Sequence, residues 1–477
     1  MCNGRVIKSS PFTLQKIFTH IKKIVFAFSE NFCNNKFRGL ILLGNYQKAR
    51  KEEQLWLLQD QKAEIIRFNP TILCTRTEEK LFDLQSDLAQ VVIGVRRSGK
   101  STLCLKVLKE SGMSFGYVNF DDEQLAGLKV SQLNDVLDAL YKVYGDITHV
   151  LFDEIQNVDH WPLFVNRLLR QGLHVVMTGS NANLLSGELA THLTGRYNQI
   201  ELFPFSFLEY CAMRKIDIQT ETTRAHALRY AALEEYLQQG GFPELLKLKN
   251  KYTYTLSLFK AIIHKDISKR YKVKHEKTLA DIANTMLDLF CQEISYGDIQ
   301  KQFELGSAHT AKKYIHYLQE AYLFRLLPIY TFKSTEKQSS RKCYAIDAAF
   351  ITNHEDFLQT PNLGWRLENM VAIELMRRMN SEIEQLFYLR KHKNFEVDFV
   401  RTNMGHVEEL IQVTYNFVEP NTKLYNREIG GLIKGAKLTH CNHLTLIMMD
   451  GEEREIEQDG FVVKCVRATN WLLNNNK

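Results

Sequence analysis

Apolar residues gather in short runs that alternate with longer amphipathic stretches through the first half of the chain. The stretch Ala89–Val95 reads as an apolar strand, of the kind found where both faces of a sheet are covered. A Gly-rich turn follows it, and Ser101–Glu110 then reads as helix. Further apolar strands are expected at Phe115–Phe120, Val150–Phe152 and Val175–Thr178, separated by helical stretches such as Val130–Tyr144 and Pro162–Arg170. Strands alternating with helices predict a parallel α/β sheet. Upstream, Glu52–Asp60 carries few breakers and reads as helix. From Arg224 to about Lys274 the strands stop and helical periodicity takes over, interrupted at Gly240-Gly241-Phe242-Pro243. Helices continue to Tyr322. Strands then return at Leu323–Tyr330, Lys342–Ile346, Leu386–Leu389, Phe395–Val400, Glu409–Tyr415, Leu444–Met449 and Phe461–Val466. That switch argues for at least two folded units with a helical region between them.

The length of 477 residues agrees, because a single hydrophobic core usually stops growing well short of it. Apolar residues make up 45% and charged residues 24%, ordinary for a soluble globular protein. No apolar run approaches the roughly 20 residues needed to cross a bilayer. Ile24–Phe28 is too short for a signal-peptide core. The expectation is a cytoplasmic protein with no membrane partner. The nine cysteines are scattered and form no C-x-x-C pair, so neither a disulfide framework nor a zinc site is indicated. The net charge of +6 is unevenly placed: residues 1–50 hold nine basic side chains against Glu30, giving +8, and the other 427 residues sum to −2. General attraction to polyanions therefore lives in that N-terminal segment, which otherwise reads as a solvated tail.

The turn after the first strand carries the strongest chemistry. Gly94-Val95-Arg96-Arg97-Ser98-Gly99-Lys100-Ser101 satisfies G-x-x-x-x-G-K-[ST] at every specified position, with Thr102 next. Glycines let the backbone curl so that successive N–H groups point at a β-phosphate where a side chain would collide. The following helix presents its positive end to the same anion. Lys100 is expected to reach the β- and γ-phosphates of ATP, and the Ser101 hydroxyl to ligate Mg²⁺. A P-loop needs a second half, a buried strand ending in a carboxylate, and His149-Val150-Leu151-Phe152-Asp153-Glu154 supplies it. Asp153 is expected to hold the metal. Glu154 is expected to polarise the water that attacks the γ-phosphate. After the next strand, Ser180 in Thr178-Gly179-Ser180-Asn181 is the first candidate for sensing the γ-phosphate, the alternative being a hydroxyl that only caps the turn. Arg196, in Leu193-Thr194-Gly195-Arg196, suits the charge that develops on a transferring phosphoryl group, on its own subunit's ATP or a neighbour's in a homo-oligomer. A plain surface arginine is the alternative.

The runs Gly94–Thr102, Leu151–Gln156, Thr178-Gly179-Ser180, Gly195-Arg196, Phe203-Pro204-Phe205-Ser206-Phe207 and Gly240-Gly241-Phe242-Pro243-Glu244 together resemble the prokaryotic AAA-like ATPases with a C-terminal DUF4143 domain. The resemblance covers roughly residues 70–475. It implies a P-loop ATPase core over 66–222 behind a basic extension over 1–65. A helical lid over 223–274, a winged-helix segment over 275–332 and a restriction-endonuclease-like α/β domain over 333–477 complete the expected architecture.

Within that frame, Glu293–Ile299, Ser307–Tyr317 and Leu323–Tyr330 have the layout of a helix-turn-helix followed by a wing. His309, Thr310, Lys312 and Lys313 fall where a recognition helix contacts DNA. The local charge is thin, so a purely structural winged helix is the competing reading. The resemblance also implies a PD-(D/E)xK-like site in the last domain. Glu368 and Asp398 fit its first two positions, while Gln412 and Thr414 stand where its Glu and Lys belong. Glu408 shares their face but lies four residues from Gln412, about 13 Å at ~3.3 Å per residue, too far to substitute. A neutral amide cannot offset divalent charge, so the nuclease fold is expected without the nuclease. The leading function is an ATP-driven switch or motor that reports to these domains. A nucleotide-regulated DNA-binding module, a metal-dependent nuclease and a protein-binding ATPase remain alternatives. Arg390, Lys391, His392 and Lys393 offer an anion-binding hairpin.

Overall fold

The structure, a computed structural model, describes residues 51–180, 193, 195–331, 341–352, 362–391, 394–416, 419–420 and 422–474. The basic segment 1–50, Thr194, His392 and Lys393 lie outside the described residues. The described residues divide into two compact units, one taking 51–66 together with 131–146, the other taking 67–130 and those from 147 on. The expected helix near the start of the described chain extends over 51–67, and the first unit holds all of it but the last residue. Lys51 pairs with Asp135 at 2.9 Å, and the Lys62 ammonium donates to Val143 O at 2.6 Å.

The second unit contains the expected parallel sheet. Its strands β1 (Ala89–Ile93), β2 (Phe115–Asn119), β3 (His149–Asp153), β4 (His174–Gly179) and β5 (Tyr197–Glu201) lie in the order β2-β3-β4-β1-β5, every neighbouring pair parallel. All five positions of β1 and of β3 are buried. Burial on both faces is why these two strands stand out in the sequence as apolar runs. The chain reverses its direction across the sheet at β1, so a crevice opens beyond the carboxyl ends of β1 and β3.

Phe205, in the Phe203–Phe207 run, lines the crevice. Ser206 caps the helix Phe207–Arg214 and forms a reciprocal capping box with Glu209, an arrangement worth about 1 kcal/mol. Phe205 N donates to Gly241 O at 2.7 Å, which ties this turn to the Gly240–Glu244 segment. Helices Thr223–Gln239 and Lys251–Ala261 follow, and the second continues into a π-helical stretch, Ile262–Lys269.

Helix Glu276–Asp288, strand β6 (Glu293–Ile294), helices Tyr296–Gln302 and Ala308–Glu320, and strands β7 (Phe324–Pro328) and β8 (Arg341–Ala345) come next. The three strands make an antiparallel sheet in the order β6-β8-β7. Arg341–Ala345, which the sequence groups with the C-terminal domain beginning at 333, therefore pairs backwards with β6 and β7.

The C-terminal sheet is mixed and six-stranded, in the order β13-β14-β12-β11-β10-β9. Its strands are β9 (Glu384–Lys391), β10 (Phe395–Asn403), β11 (His406–Thr414), β12 (Leu444–Met448), β13 (Arg454–Gln458) and β14 (Phe461–Arg467). Helix Lys423–Thr439 covers one side of it, with Ile429, Leu432 and Ile433 packed among Val397, Leu410 and Leu446. Helix Leu363–Arg378 reaches back to the first sheet. Its Arg377 donates to Pro204 O at 2.8 Å and lies 3.6 Å from Glu78 and 4.0 Å from Glu209.

Candidate active site

β1 ends at Ile93 and the backbone turns at Gly94 with φ 148°. A side chain at Gly94 would collide with Leu202 O at the end of β5, so the packing of the sheet demands this glycine as much as any ligand does. Gly99 takes φ 100° and caps the helix Lys100–Ser111. Lys100 is buried, and its ammonium donates to Gly94 O and Val95 O at 3.0 Å each. Burial depresses its pKa below the usual lysine range, with Glu154, Asp153 and Asp266 opposing that shift. The loop thus curls around its own lysine. Ser98 Oγ is buried in the same loop without a hydrogen-bond partner.

Asp153 ends β3 as expected. Its carboxylate accepts the Ser101 hydroxyl at 2.8 Å and the Tyr117 hydroxyl at 3.2 Å, and Thr178 also donates to it. Burial raises the Asp153 pKa, Glu154 adds to the rise, and the Thr178 and Ser101 hydroxyls and Lys100 pull it back. The Ser101 hydroxyl and a carboxylate oxygen stand side by side, two hard oxygen ligands of the type Mg²⁺ selects. The residues present fit the metal.

Glu154 sits in the left-handed region at φ 55°, where its N–H donates to Thr178 Oγ1 at 3.1 Å. Its carboxylate accepts from Gln156 and, at 3.2 Å, from Ser180. Lys100, Ser101, Asp153 and Glu154 all line one cavity of about 420 Å³, which Pro243 and Glu244 help to close. Arg97 reaches Glu244 at 3.1 Å across its mouth. Arg96 instead grips Asp266 of the π-helix, with Nε to Oδ2 at 3.0 Å and one terminal nitrogen to Oδ1 at 3.1 Å. Arg76, also buried, braces the loop from beneath by donating to Ser98 O at 3.4 Å and to Glu209 at 2.7 Å.

The structure corrects one expectation here. Arg196 is exposed at the amino end of β5, where its carbonyl accepts Ala89 N at 3.0 Å. Parallel pairing of β5 with β1 sets it beside the start of β1, the length of the strand away from the loop. At ~3.3 Å per residue that separation is about 16 Å, so Arg196 cannot serve its own subunit's site. Asp266 and Arg76 were missed by sequence reasoning, and Glu244 was visible only as the end of the Gly240–Glu244 motif. Each meets the loop across a long sequence separation, 170 residues for Asp266 and Arg96, and no spacing rule joins such pairs.

The C-terminal candidates also converge. Glu368 from helix Leu363–Arg378 and Asp398 from β10 face Gln412 and Thr414 of β11 around a groove of about 1090 Å³. Lys342 of β8 enters between the acids. Its ammonium lies 2.8 Å from Glu368, 2.7 Å from Glu396 and 3.4 Å from Asp398. Burial works against that charge, yet the three carboxylates outweigh it and hold the Lys342 pKa well above the usual range. Burial, with Asp398 beside it, raises the Glu368 carboxyl to about 7. Gln412 Oε1 accepts Asp398 N at 3.1 Å, Asp398 accepts Val413 N at 3.0 Å, and Thr414 donates to Asn416 O at 3.3 Å. Glu408 is turned to Arg401 and Asn403, both at 2.9 Å, and takes no part. Arg390, expected on an anion-binding hairpin, is paired with Glu293 at 3.0 Å. The DNA-contact candidates His309, Thr310, Lys312 and Lys313 occupy the first turns of helix Ala308–Glu320, behind the Ser307 cap.

Residues 86–211 match the family described as an AAA domain, and residues 230–359 match a domain of unknown function, DUF8612. The chain is 32% identical over 398 residues to the uncharacterized protein MJ1544 of Methanocaldococcus jannaschii, covering 80% of this chain and 88% of that one. It is 28% identical over 405 residues to an uncharacterized protein of Haemophilus influenzae, covering 81% and 95% respectively. Among solved structures it is similar to the Walker-type ATPase paby2304 of Pyrococcus abyssi, at 13% identity and a TM-score of 0.37, over 58% of this chain and 94% of that one. Among the described residues no helix is long and apolar enough to cross a membrane.

Proposed function

Because the chain belongs to the same family as the Methanocaldococcus jannaschii protein MJ1544 and carries an AAA domain over residues 86–211, we propose that it is a magnesium-dependent ATPase. In this reading the backbone N–H groups of Gly94–Ser101 cradle the phosphates of ATP, and Lys100 gives up its two loop carbonyls to bind the β- and γ-phosphates. Ser101 and Asp153 would hold Mg²⁺, which would supply charge neutralisation to the phosphates when bound. Glu154 accepts a proton from water as the water oxygen bonds to the γ-phosphorus. The bond between that phosphorus and the bridging oxygen breaks, leaving ADP and phosphate. Ser180 orients Glu154 by donating to it.

The observation that carries this reading is the meeting of Lys100, Ser101, Asp153 and Glu154 around one cavity, with Ser101 and Asp153 2.8 Å apart. We assign the core to about 66–222, the lid to 223–274, a winged-helix segment from 275 through β8, and a DUF4143-type, restriction-endonuclease-like domain beyond it. The work of the ATPase is to switch those domains. Arg196 acts, if on any nucleotide, on that of a neighbouring copy.

A second reading, a nucleotide-regulated DNA-binding module, is favoured by the exposed His309, Lys312, Lys313 and His316 along one face of helix Ala308–Glu320. One assay separates the two. The purified chain should hydrolyse ATP with Mg²⁺ and stop when the metal is chelated. Duplex binding that follows nucleotide state and weakens steeply with salt would support the second reading as well. Absence of any Mg²⁺-dependent hydrolysis would count against the first.

A further inference from the structure

The π-helical stretch Ile262–Lys269 lowers one carboxylate onto the P-loop. A π-turn widens a helix by one residue and is frequently found at functional sites. Here the aimed side chain is Asp266, only 5% exposed. It receives two nitrogens of Arg96 at 3.0 and 3.1 Å. It also stands 3.4 Å from the Ser180 hydroxyl, which lies 3.2 Å from Glu154 on its other side.

A hydroxyl has one hydrogen. Ser180 can donate to Asp266 or to Glu154 at a given moment, and not to both. Arg96 is likewise bound to this one buried acid, with exposed Asp121 a more distant second partner at 3.7 Å. Asp266 acts on the charge of Lys100 along with Glu154 and Asp153, so it belongs to the electrostatic neighbourhood of the γ-phosphate subsite. Arg270 faces it from the next turn. In the structure, then, the loop's arginine is satisfied by an anion of the protein's own.

Resting on the ATPase reading above, we propose that Asp266 is a stand-in for the γ-phosphate. ATP takes Arg96 from Asp266, and the freed π-helix carries the nucleotide state into helix Lys251–Ala261 before it and helix Glu276–Asp288 after it. ADP lacks the third phosphate and leaves the Arg96–Asp266 pair closed. On release, the Ser180 hydroxyl passes wholly to Glu154, so lid opening and orientation of the catalytic carboxylate are one event. A ligand shifts such an equilibrium only through differential contacts, and the γ-phosphate is the group that differs between the two nucleotides.

The test uses the full chain, calorimetric titration with Mg²⁺ and either the β,γ-imido analogue of ATP or ADP, and backbone hydrogen exchange over residues 262–269. Asp266→Asn removes the competing charge. It should tighten the ATP analogue about tenfold, within the usual span of coupling energies, and leave ADP affinity unchanged. In the wild type the ATP analogue, and not ADP, should speed exchange over 262–269. In Asp266→Asn that exchange should be fast without nucleotide, and Asp266→Glu should recover part of the nucleotide dependence. Equal shifts in both affinities, or exchange indifferent to the third phosphate, would overturn the proposal while leaving the P-loop reading intact. A wild-type chain that takes up neither nucleotide would bring down the P-loop reading, and this inference with it.

Discussion

Two places in this chain set a buried lysine beside paired carboxylates, and they are wired in opposite senses. At the P-loop, Lys100 donates to two backbone carbonyls while Asp153 and Glu154 are satisfied by hydroxyls and an amide. Those partners are neutral and can be surrendered. In the C-terminal groove, Lys342 is clasped by Glu368, Glu396 and Asp398, and the acids have spent their charge on it. Burial depresses the first lysine's pKa, whereas the carboxylates raise the second's in spite of burial. The difference teaches that residue types alone do not mark a working site. A lysine held by carbonyls can exchange them for an anion, and a lysine held by carboxylates already has its counter-charge.

The largest effect that would sharpen this contrast is on turnover. Glu154→Gln should keep ATP bound and lower kcat by about 10²- to 10⁴-fold, the range a positioned proton acceptor contributes. A normal rate in steady-state assays would take the base role away from Glu154. A smaller effect is expected on stability in the other site. Lys342→Met leaves several buried acids without their cation and should cost about 3–5 kcal/mol in denaturant unfolding. Millimolar Mg²⁺ should return part of that loss in the variant and none in the wild type. A variant as stable as the parent would break the claim that Lys342 balances the charge of these acids.

The sequence displayed the two halves of the site unequally. Lys100, Ser101, Asp153 and Glu154 were legible because each follows a buried strand at a fixed local spacing. β1 and β3 advertise themselves because both of their faces are covered. β5 and β13 are sheet edges, with Ile200 the one buried position of β5 and no buried position in β13, so neither carries an apolar run. Asp266 sat within ordinary helical periodicity, and nothing local foretells a π-turn. Gln412 and Thr414 were legible by their place on β11, and both line the groove with Glu368 and Asp398. The cation that settles the acids could not be foreseen, because Lys342 arrives from a strand of another sheet, 26 residues before Glu368 and 56 before Asp398. The Phe203–Phe207 and Gly240–Glu244 runs were visible as motifs. Their physical reason, a capped turn and a lid segment joined through Phe205 and Gly241, needed the fold.

Equilibrium binding of labelled ATP with Mg²⁺, compared between wild type and Lys100→Ala, tests the centre of the account. The wild-type chain should saturate at or below millimolar nucleotide, and the variant should lose at least about 2.7 kcal/mol of that affinity, roughly a hundredfold. Equal binding by both proteins, or none by the wild type, would contradict it.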